Sequence, residues 1–404
     1  MPGPATLDAC PGILTLHPAR DGQVARIRLP GGYVSRGQWA ALAALAGDLG
    51  DGCLDLTARG NVQLRGLPPT AAAELARRAT GAGLLPSGAH DRSRNITASP
   101  LSGLAGRPPL RRLVSALDAA LVADQELAAL PGRFLCAVDD GTGGAAVADS
   151  DLGLRRSGRR VEVLVAGRSA GVAVPVGAAV PAVLSAAREA IAGGVGREVT
   201  RIRDLPDGGA AVAAAIGGSL GPPAPADNGR LSLGIGARDR AAPDKAVAVI
   251  AAPLGRLTSA QVILIGPLLR SGEVIRLAAA GRVVIPLVAP PGTARGRAPI
   301  MATLADAGLL TSDDDDLAGV TACSGLACSR AVADVRAVAR PLPGHRRTHW
   351  AACPRSCGKP RDAEAVIAAG PDTFLVPGQP APHALADLAD PAHRTAPQPL
   401  SGTS

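Results

Sequence analysis

Four cysteines fall in two close pairs, Cys323 and Cys328 in ACSGLACSR and Cys353 and Cys357 in AACPRSCGK, all within 35 residues. Four thiolates on two neighbouring loops can enclose a metal centre. An iron–sulfur cluster suits this C-x4-C and C-x3-C arrangement, and a structural four-cysteine zinc site tolerates it too. The other three cysteines, Cys10, Cys53 and Cys136, stand singly, with no metal-ligand spacing. An odd total of seven argues against the disulfide framework of a secreted protein and for a reducing, cytoplasmic setting.

A second group of chemically able residues lies in LDLTARGNVQLRG. Leu54, Leu56, Ala58, Val62 and Leu64 alternate with Asp55, Thr57, Arg59, Asn61, Gln63 and Arg65, so an extended chain shows one apolar and one polar face. Such a face can simply meet water. Here, however, it holds no Lys or Glu, and its arginines are separated by amide donors. Arg26 and Arg28, in VARIRLPGG, point the same way on the preceding strand. Guanidinium forks pair bidentately with carboxylates, so the expected ligand is anionic.

The elements that must position these groups come as a repeat. VSRGQWAALAALAGDLGDGCLDLTARGNVQLRGL, from Val34, is echoed by LTSAQVILIGPLLRSGEVIRLAAAGRVVIPLV, from Leu257. Ser35 matches Thr258, Gln38 matches Gln261 and Gly60 matches Gly281. Each copy reads as a strand, a capped amphipathic helix and a strand. In the second copy Ala278, Ala280, Val284 and Pro286 stand where the first has Thr57, Arg59, Gln63 and Arg65. Only the first copy keeps a polar surface.

Between the copies, DRSRNITASPLSG reads as an Arg/Asn loop, LRRLVSALDAALVADQELAAL and PAVLSAAREAIAGG as helices, and RRVEVLVAGRSAGVAVPVG as a β-hairpin. At 404 residues two or more cores are expected, built from Val, Leu, Ile and Ala because only five residues are aromatic. Trp39 and Trp350 are read as core. The net charge of +8 is carried mostly by arginine, yet no basic run is interleaved with aromatics, which speaks against nucleic acid. The N-terminus lacks signal-peptide features and the longest apolar stretches are far too short to span a bilayer, so no membrane role is expected. The acidic run Asp313 to Asp316 reads as a solvated turn. His349, four residues before Cys353, is a candidate ligand of a mononuclear non-haem iron, against the commoner reading of a hydrogen-bonded structural histidine.

Taken in order, ARIRLPGG, LTARGNVQLRG, SRNITASPLSG, the second module around GRLTSAQ and the cysteine pairs ending in CPRSCGK resemble the sulfite and nitrite reductase superfamily, and within it the precorrin-3B synthase family. The resemblance implies an α+β, pseudo-twofold duplicated fold. Its implied divisions are a first ferredoxin-like half module (9–88), a first α/β domain (89–216), a linker (217–229), a second half module (230–290), an iron–sulfur α/β domain (291–382) and a disordered tail (383–404). It assigns Cys323, Cys328, Cys353 and Cys357 to a 4Fe-4S cluster. Arg26, Arg28, Arg59, Asn61, Gln63, Arg65, Arg94 and Asn95, with Arg133, would line a tetrapyrrole pocket.

The reductases carry two lysines, one residue apart, where LPGRFLCAV places Arg133 and Leu135. Losing a cation there favours the synthase, whose implied reaction is oxygen-dependent hydroxylation and lactone formation on precorrin-3A in aerobic cobalamin biosynthesis. No convincing glycine-rich dinucleotide motif is present, so a separate reductase is expected to deliver electrons that come ultimately from NADH. The alternative is a sulfite or nitrite reductase with sirohaem, in which Cys357 would bridge cluster and haem.

Overall fold

The two helices of the repeat begin with the same device. In the computed structural model, which describes residues 8, 10–144, 147–225, 231–237, 246–287, 298–342, 347–360 and 362–389, helix Arg36–Leu49 starts at a capping box of Ser35 and Gln38. Helix Ser259–Ile265 starts at an equivalent box of Thr258 and Gln261. In each, the hydroxyl accepts from a backbone N–H three residues on and the glutamine returns the bond, satisfying two otherwise orphaned donors.

The first copy contributes β1 (His17–Ala19), β2 (Gly22–Ile27), β3 (Tyr33–Val34), β4 (Cys53–Leu56) and β5 (Val62–Leu67). A first α/β region follows with β6 (Ile96–Ala98), β7 (Cys136–Asp139), β8 (Leu152–Ser157), β9 (Arg160–Val165) and β10 (Arg168–Pro175). The second copy contributes β11 (Gly234–Ala237), β12 (Ala246–Ala251), β13 (Arg256–Thr258), β14 (Ile275–Ala278) and β15 (Arg282–Pro286). The cysteine region holds β16 (Val320–Ala322), β17 (Thr348–Ala351), β18 (Glu364–Ala368), β19 (Thr373–Leu375) and β20 (His383–Ala384).

These strands form four five-stranded sheets, and the two copies exchange edges. The first sheet runs β1-β2-β5-β4-β13 and the second runs β11-β12-β15-β14-β3, so each copy lends its short pre-helix strand to the other. One apolar core serves both, holding Trp39, Leu54, Leu64, Val262, Ile275 and Ile285 together. Trp39 donates its indole N–H to the Val262 carbonyl at 2.7 Å, joining the two helices. The half modules expected over 9–88 and 230–290 are therefore one interlocked body. At their tight turns, Gly60 and Gly281 adopt φ of +69° and +67°, and a Cβ on either would lie within 3 Å of backbone in a neighbouring segment.

The α/β regions are also duplicates. In β10-β9-β8-β7-β6 and in β16-β17-β18-β19-β20 the first three strands in chain order pair in parallel and the last two turn antiparallel. The expected hairpin is β9–β10, and the expected helices are Arg111–Ala123 and Ala179–Ala192. Leu117, Phe134, Val163 and Ala187 share one core, while Trp350 packs edge-on to Phe374 at 5.2 Å in another. Each such burial contributes roughly 1.5–3 kcal/mol.

Three local expectations change. Residues 53–67 form a hairpin, with Asp55 opposite Gln63, in place of one continuous strand; Gly60 reverses the chain inside the alternating pattern. Of the linker expected at 217–229, Ser219 and Gly221 hydrogen-bond to β10 and Ala224 to Gly167 just before it, and residues 226–229 lie outside the described residues. The tail expected from 383 begins inside the fourth sheet, where Phe374 pairs with His383, and residues 390–404 lie outside the described residues. Among the described residues no helix is long and apolar enough to cross a membrane.

Candidate active site

Parallel pairing brings the cysteines together. β16 and β17 are parallel neighbours, so their carboxyl ends open on the same edge, and Cys323 and Cys353 follow directly on those ends. Cys323 N donates to the Trp350 carbonyl at 3.0 Å and Val332 N to the Ala352 carbonyl at 3.0 Å, which binds one loop to the other. The four residues between Cys323 and Cys328 fit because the chain closes in a single turn, Gly325–Ala327, with Gly325 at φ +58° and Cys328 N returning to the Gly325 carbonyl.

Ala352 N donates to the Cys323 sulfur at 3.3 Å. Burial pushes the Cys357 thiol up; Arg355 opposes this, and Cys353, Cys323 and Cys328 add to it, so all four thiols lie within electrostatic reach. Among the described residues, no three His, Cys, Asp or Glu side chains converge tightly enough to hold one metal ion. Four cysteines on two loops that hydrogen-bond to each other are a donor set that an iron–sulfur cluster would take, one thiolate to each iron.

Opposite these loops lies the polar face of the first sheet. Register places Arg26 of β2 beside Gln63 of β5, Gln63 beside Asp55 of β4, and Asp55 beside Arg256 of β13, a polar row across four strands. Arg26 Nε donates to Gln63 Oε1 at 3.0 Å. In the duplicate sheet the same row reads Val249, Val284, Arg276 and Tyr33. Leu104 packs on Val247, Val249 and Val284, and Arg276 donates to the carbonyls of Pro100 and Ser102. One copy's face is thus covered by the loop after β6, and the other's is open.

The open face and the cysteine loops enclose a cleft with about 660 Å³ of empty space, its mouth included. Arg26, Gln63 and Asp55 line one side; Cys323, Cys357 and Arg336 line the other. Burial lowers the pKa of Arg26, and Cys10 and then Cys357 act against that shift.

The sequence-predicted residues separate in space. Arg28 is 2% exposed; burial and then the neighbouring Arg26 push its pKa down to about 9, and its Nη1 is buried without a hydrogen-bond partner. Arg59, pushed down to about 10 by burial and then Arg201, donates to the Arg133 carbonyl at 3.1 Å. The Arg133 side chain is exposed, and Leu135 is buried. Asn61 accepts from Leu29 N and donates to Asn95, whose amide reaches the Phe134 carbonyl. Arg94 is paired bidentately with Asp118. Arg65 is held by Asp21 at 2.9 Å and donates to the Ser324 hydroxyl and the Ala327 carbonyl within the first cysteine loop. Asn61, Arg94 and Asn95 are thereby committed to the fold, and Arg65 to the cysteine loop.

His349 also faces the cysteine loops. Its Nδ1 is 3.0 Å from the Thr321 hydroxyl, and burial pushes its pKa down to about 4, so the ring is neutral. Sequence reasoning passed over Arg336 and Arg256. Arg256 stands at an edge strand that the other copy borrows, and Arg336 follows the first cysteine pair with no pattern to mark it.

Residues 17–81 match the nitrite/sulfite reductase ferredoxin-like half domain. Over 127 residues the chain is 37% identical to a ferredoxin–nitrite reductase of Synechococcus elongatus, a stretch covering 29% of this chain. The match spans only 25% of that protein's length. The NirA protein of Mycobacterium tuberculosis superposes over 91% of this chain and 78% of its own, with a TM-score of 0.69 and 17% identity. The fold is the duplicated sulfite and nitrite reductase fold. In this reductase fold the cleft lies between the open sheet of the first half module and the cysteine loops of the second α/β region.

Proposed function

We propose that the chain is an iron–sulfur oxidoreductase that handles a polycarboxylated tetrapyrrole and, more finely, that it is a precorrin-3B synthase. The observation that carries the first part is the cleft itself, with Arg26 and Gln63 facing Cys323 and Cys357. Cys323, Cys328, Cys353 and Cys357 would hold a 4Fe-4S cluster, which supplies one-electron transfer when bound. Arg26, fixed by Gln63 in a partly desolvated site, binds ligand carboxylates, and Arg28 and Arg59 add positive potential behind it.

The finer reading rests on position 135. A buried Leu135 cannot deliver a proton or bind a small inorganic anion, and Arg133 turns to solvent. Six-electron reduction of sulfite or nitrite needs several such cations. On this reading precorrin-3A is hydroxylated with molecular oxygen, and the electrons arrive through a separate reductase, ultimately from NADH. On the same reading a mononuclear non-haem iron would handle the oxygen. A second reading, a sirohaem-dependent reductase, is favoured by the similarity to the ferredoxin–nitrite reductase.

Anaerobic purification followed by iron, sulfide and optical analysis separates these readings. Near-stoichiometric cluster without a bound tetrapyrrole, together with single-turnover conversion of precorrin-3A using a chemical reductant and oxygen, is expected for the synthase. A resident sirohaem spectrum with nitrite or sulfite reduction would replace it with the reductase. Efficient oxidation of NADH by the chain alone would remove the need for a partner.

A further inference from the structure

Asp55 has an unusual set of neighbours. Its carboxylate, 7% exposed, meets three guanidinium groups, two from distant segments and one from the neighbouring hairpin strand: Arg336 Nη2 at 3.5 Å, Arg256 Nε at 3.7 Å and Arg65 Nε at 4.0 Å. All three are longer than the roughly 2.7–2.9 Å of a tight charge-assisted bond. Elsewhere the fold makes such bonds, with Arg65 on Asp21 at 2.9 Å and Arg94 on Asp118 at 2.8 Å. Asp55 Oδ2 and Arg336 Nε are both buried without a hydrogen-bond partner. Unmet donors and acceptors in a low-dielectric site cost on the order of 1–3 kcal/mol each.

The two partners differ in freedom. Asp55 is fixed in β4, paired in register with Gln63 on one side and Arg256 on the other. Arg336 springs from the single helical turn Val335–Val338 and lines the cleft on the cysteine side, where its long side chain can turn towards a bound molecule. Arg65, the other guanidinium near that loop, is already committed to Asp21.

We propose that Arg336 is a carboxylate-binding residue of the cleft, and that Asp55 occupies it loosely until a carboxylate of the ligand takes its place. This deepens the tetrapyrrole reading and rests on it. The ligand class is a molecule bearing several acetate or propionate groups, one of which would receive the Arg336 fork bidentately while Arg26 holds another across the cleft. Asp55 then acts as a competitor, lowering affinity until the incoming carboxylate matches the fork better than it does.

Fluorescence-quenching titration of the full chain with uroporphyrin III, an octacarboxylate, tests this, with its octamethyl ester as control. The wild type should bind the acid and not the ester. Arg336→Gln should weaken binding on the order of tenfold or more, with Arg336→Lys intermediate because it keeps charge and loses the fork. Asp55→Asn should tighten binding by roughly threefold or more. Those opposite signs are the decisive readout, since a purely structural ion pair would make both variants weaken together. Equal affinity of Arg336→Gln and wild type, or weakening by Asp55→Asn in a protein with wild-type circular dichroism, would overturn the assignment. Failure of the wild type to bind uroporphyrin III would instead overturn the tetrapyrrole reading, and the assignment with it.

Discussion

Arg65 donates to the Ala327 carbonyl at 3.0 Å, tying the sheet beneath the cleft to the loop between Cys323 and Cys328 across 262 positions of sequence. The same guanidinium is clamped by both oxygens of Asp21. A residue read from sequence as a ligand donor is thus a strut for the cysteine loop.

Replacing Arg65 should therefore disturb the cysteine site before it disturbs ligand capture. Arg65→Ala strands Asp21 and leaves the Ala327 carbonyl with the Arg20 backbone N–H alone. Because Asp21 is a quarter exposed, the loss should fall at or below the lower end of the roughly 3–5 kcal/mol of a broken buried pair. Iron and sulfide content per chain should fall together with the thermal midpoint; unchanged iron content would show that the strut does not position the loop.

The four clustered thiols should behave differently from the single ones. Serine at Cys323, Cys328, Cys353 or Cys357 is expected to abolish most bound iron and labile sulfide, whereas Cys53→Ser, at the start of β4 in the first sheet, should retain both. Full iron loading in any of the first four variants would remove that residue from the ligand set.

Gly60 and Gly281 give matched tests of the interlocked halves. Gly60→Ala puts a Cβ 2.8 Å from the Leu277 carbonyl oxygen, and Gly281→Ala puts one 2.9 Å from Gly255 Cα, both at positive φ. Backbone strain alone costs about 1–2 kcal/mol, and the clash adds to it. Each variant should lower one shared unfolding transition in calorimetry. Two separate transitions would contradict a common core.

Alkaline sensitivity should trace in part to Cys136. Burial first, and Asp151 second, push its thiol up to about 12 from an ordinary value of 9.0. The folded chain keeps this proton while the unfolded chain loses it, so the contribution to stability is complete below pH 9 and is lost as pH rises from 9 towards 12, at up to about 1.4 kcal/mol per pH unit. Cys136→Ala should flatten that slope in denaturant titrations, and intact protein at pH 8 should resist iodoacetamide at Cys136. Rapid alkylation there would refute the burial.

Local signals made much of the fold legible. The Ser35/Gln38 and Thr258/Gln261 boxes and the glycines at 60 and 281 mark the duplication because caps and tight turns depend on residues a few positions apart. The buried Trp39 and Trp350 follow from the apolar period. The hairpin at 53–67 was harder to read, since alternation continues across a turn that only the φ of Gly60 reveals.

By itself, the sequence determined the duplicated modules, the two cysteine pairs and the loss of polar residues from the second copy, all of which are matters of residue type and spacing. Tertiary structure decided which arginines remain available. Arg65 and Arg94 are satisfied by Asp21 and Asp118, carboxylates 44 and 24 positions away, while Arg336 reaches Asp55 across 281. A guanidinium's role depends on whether a carboxylate comes close enough to engage it fully, and that distance exists only after distant segments have packed.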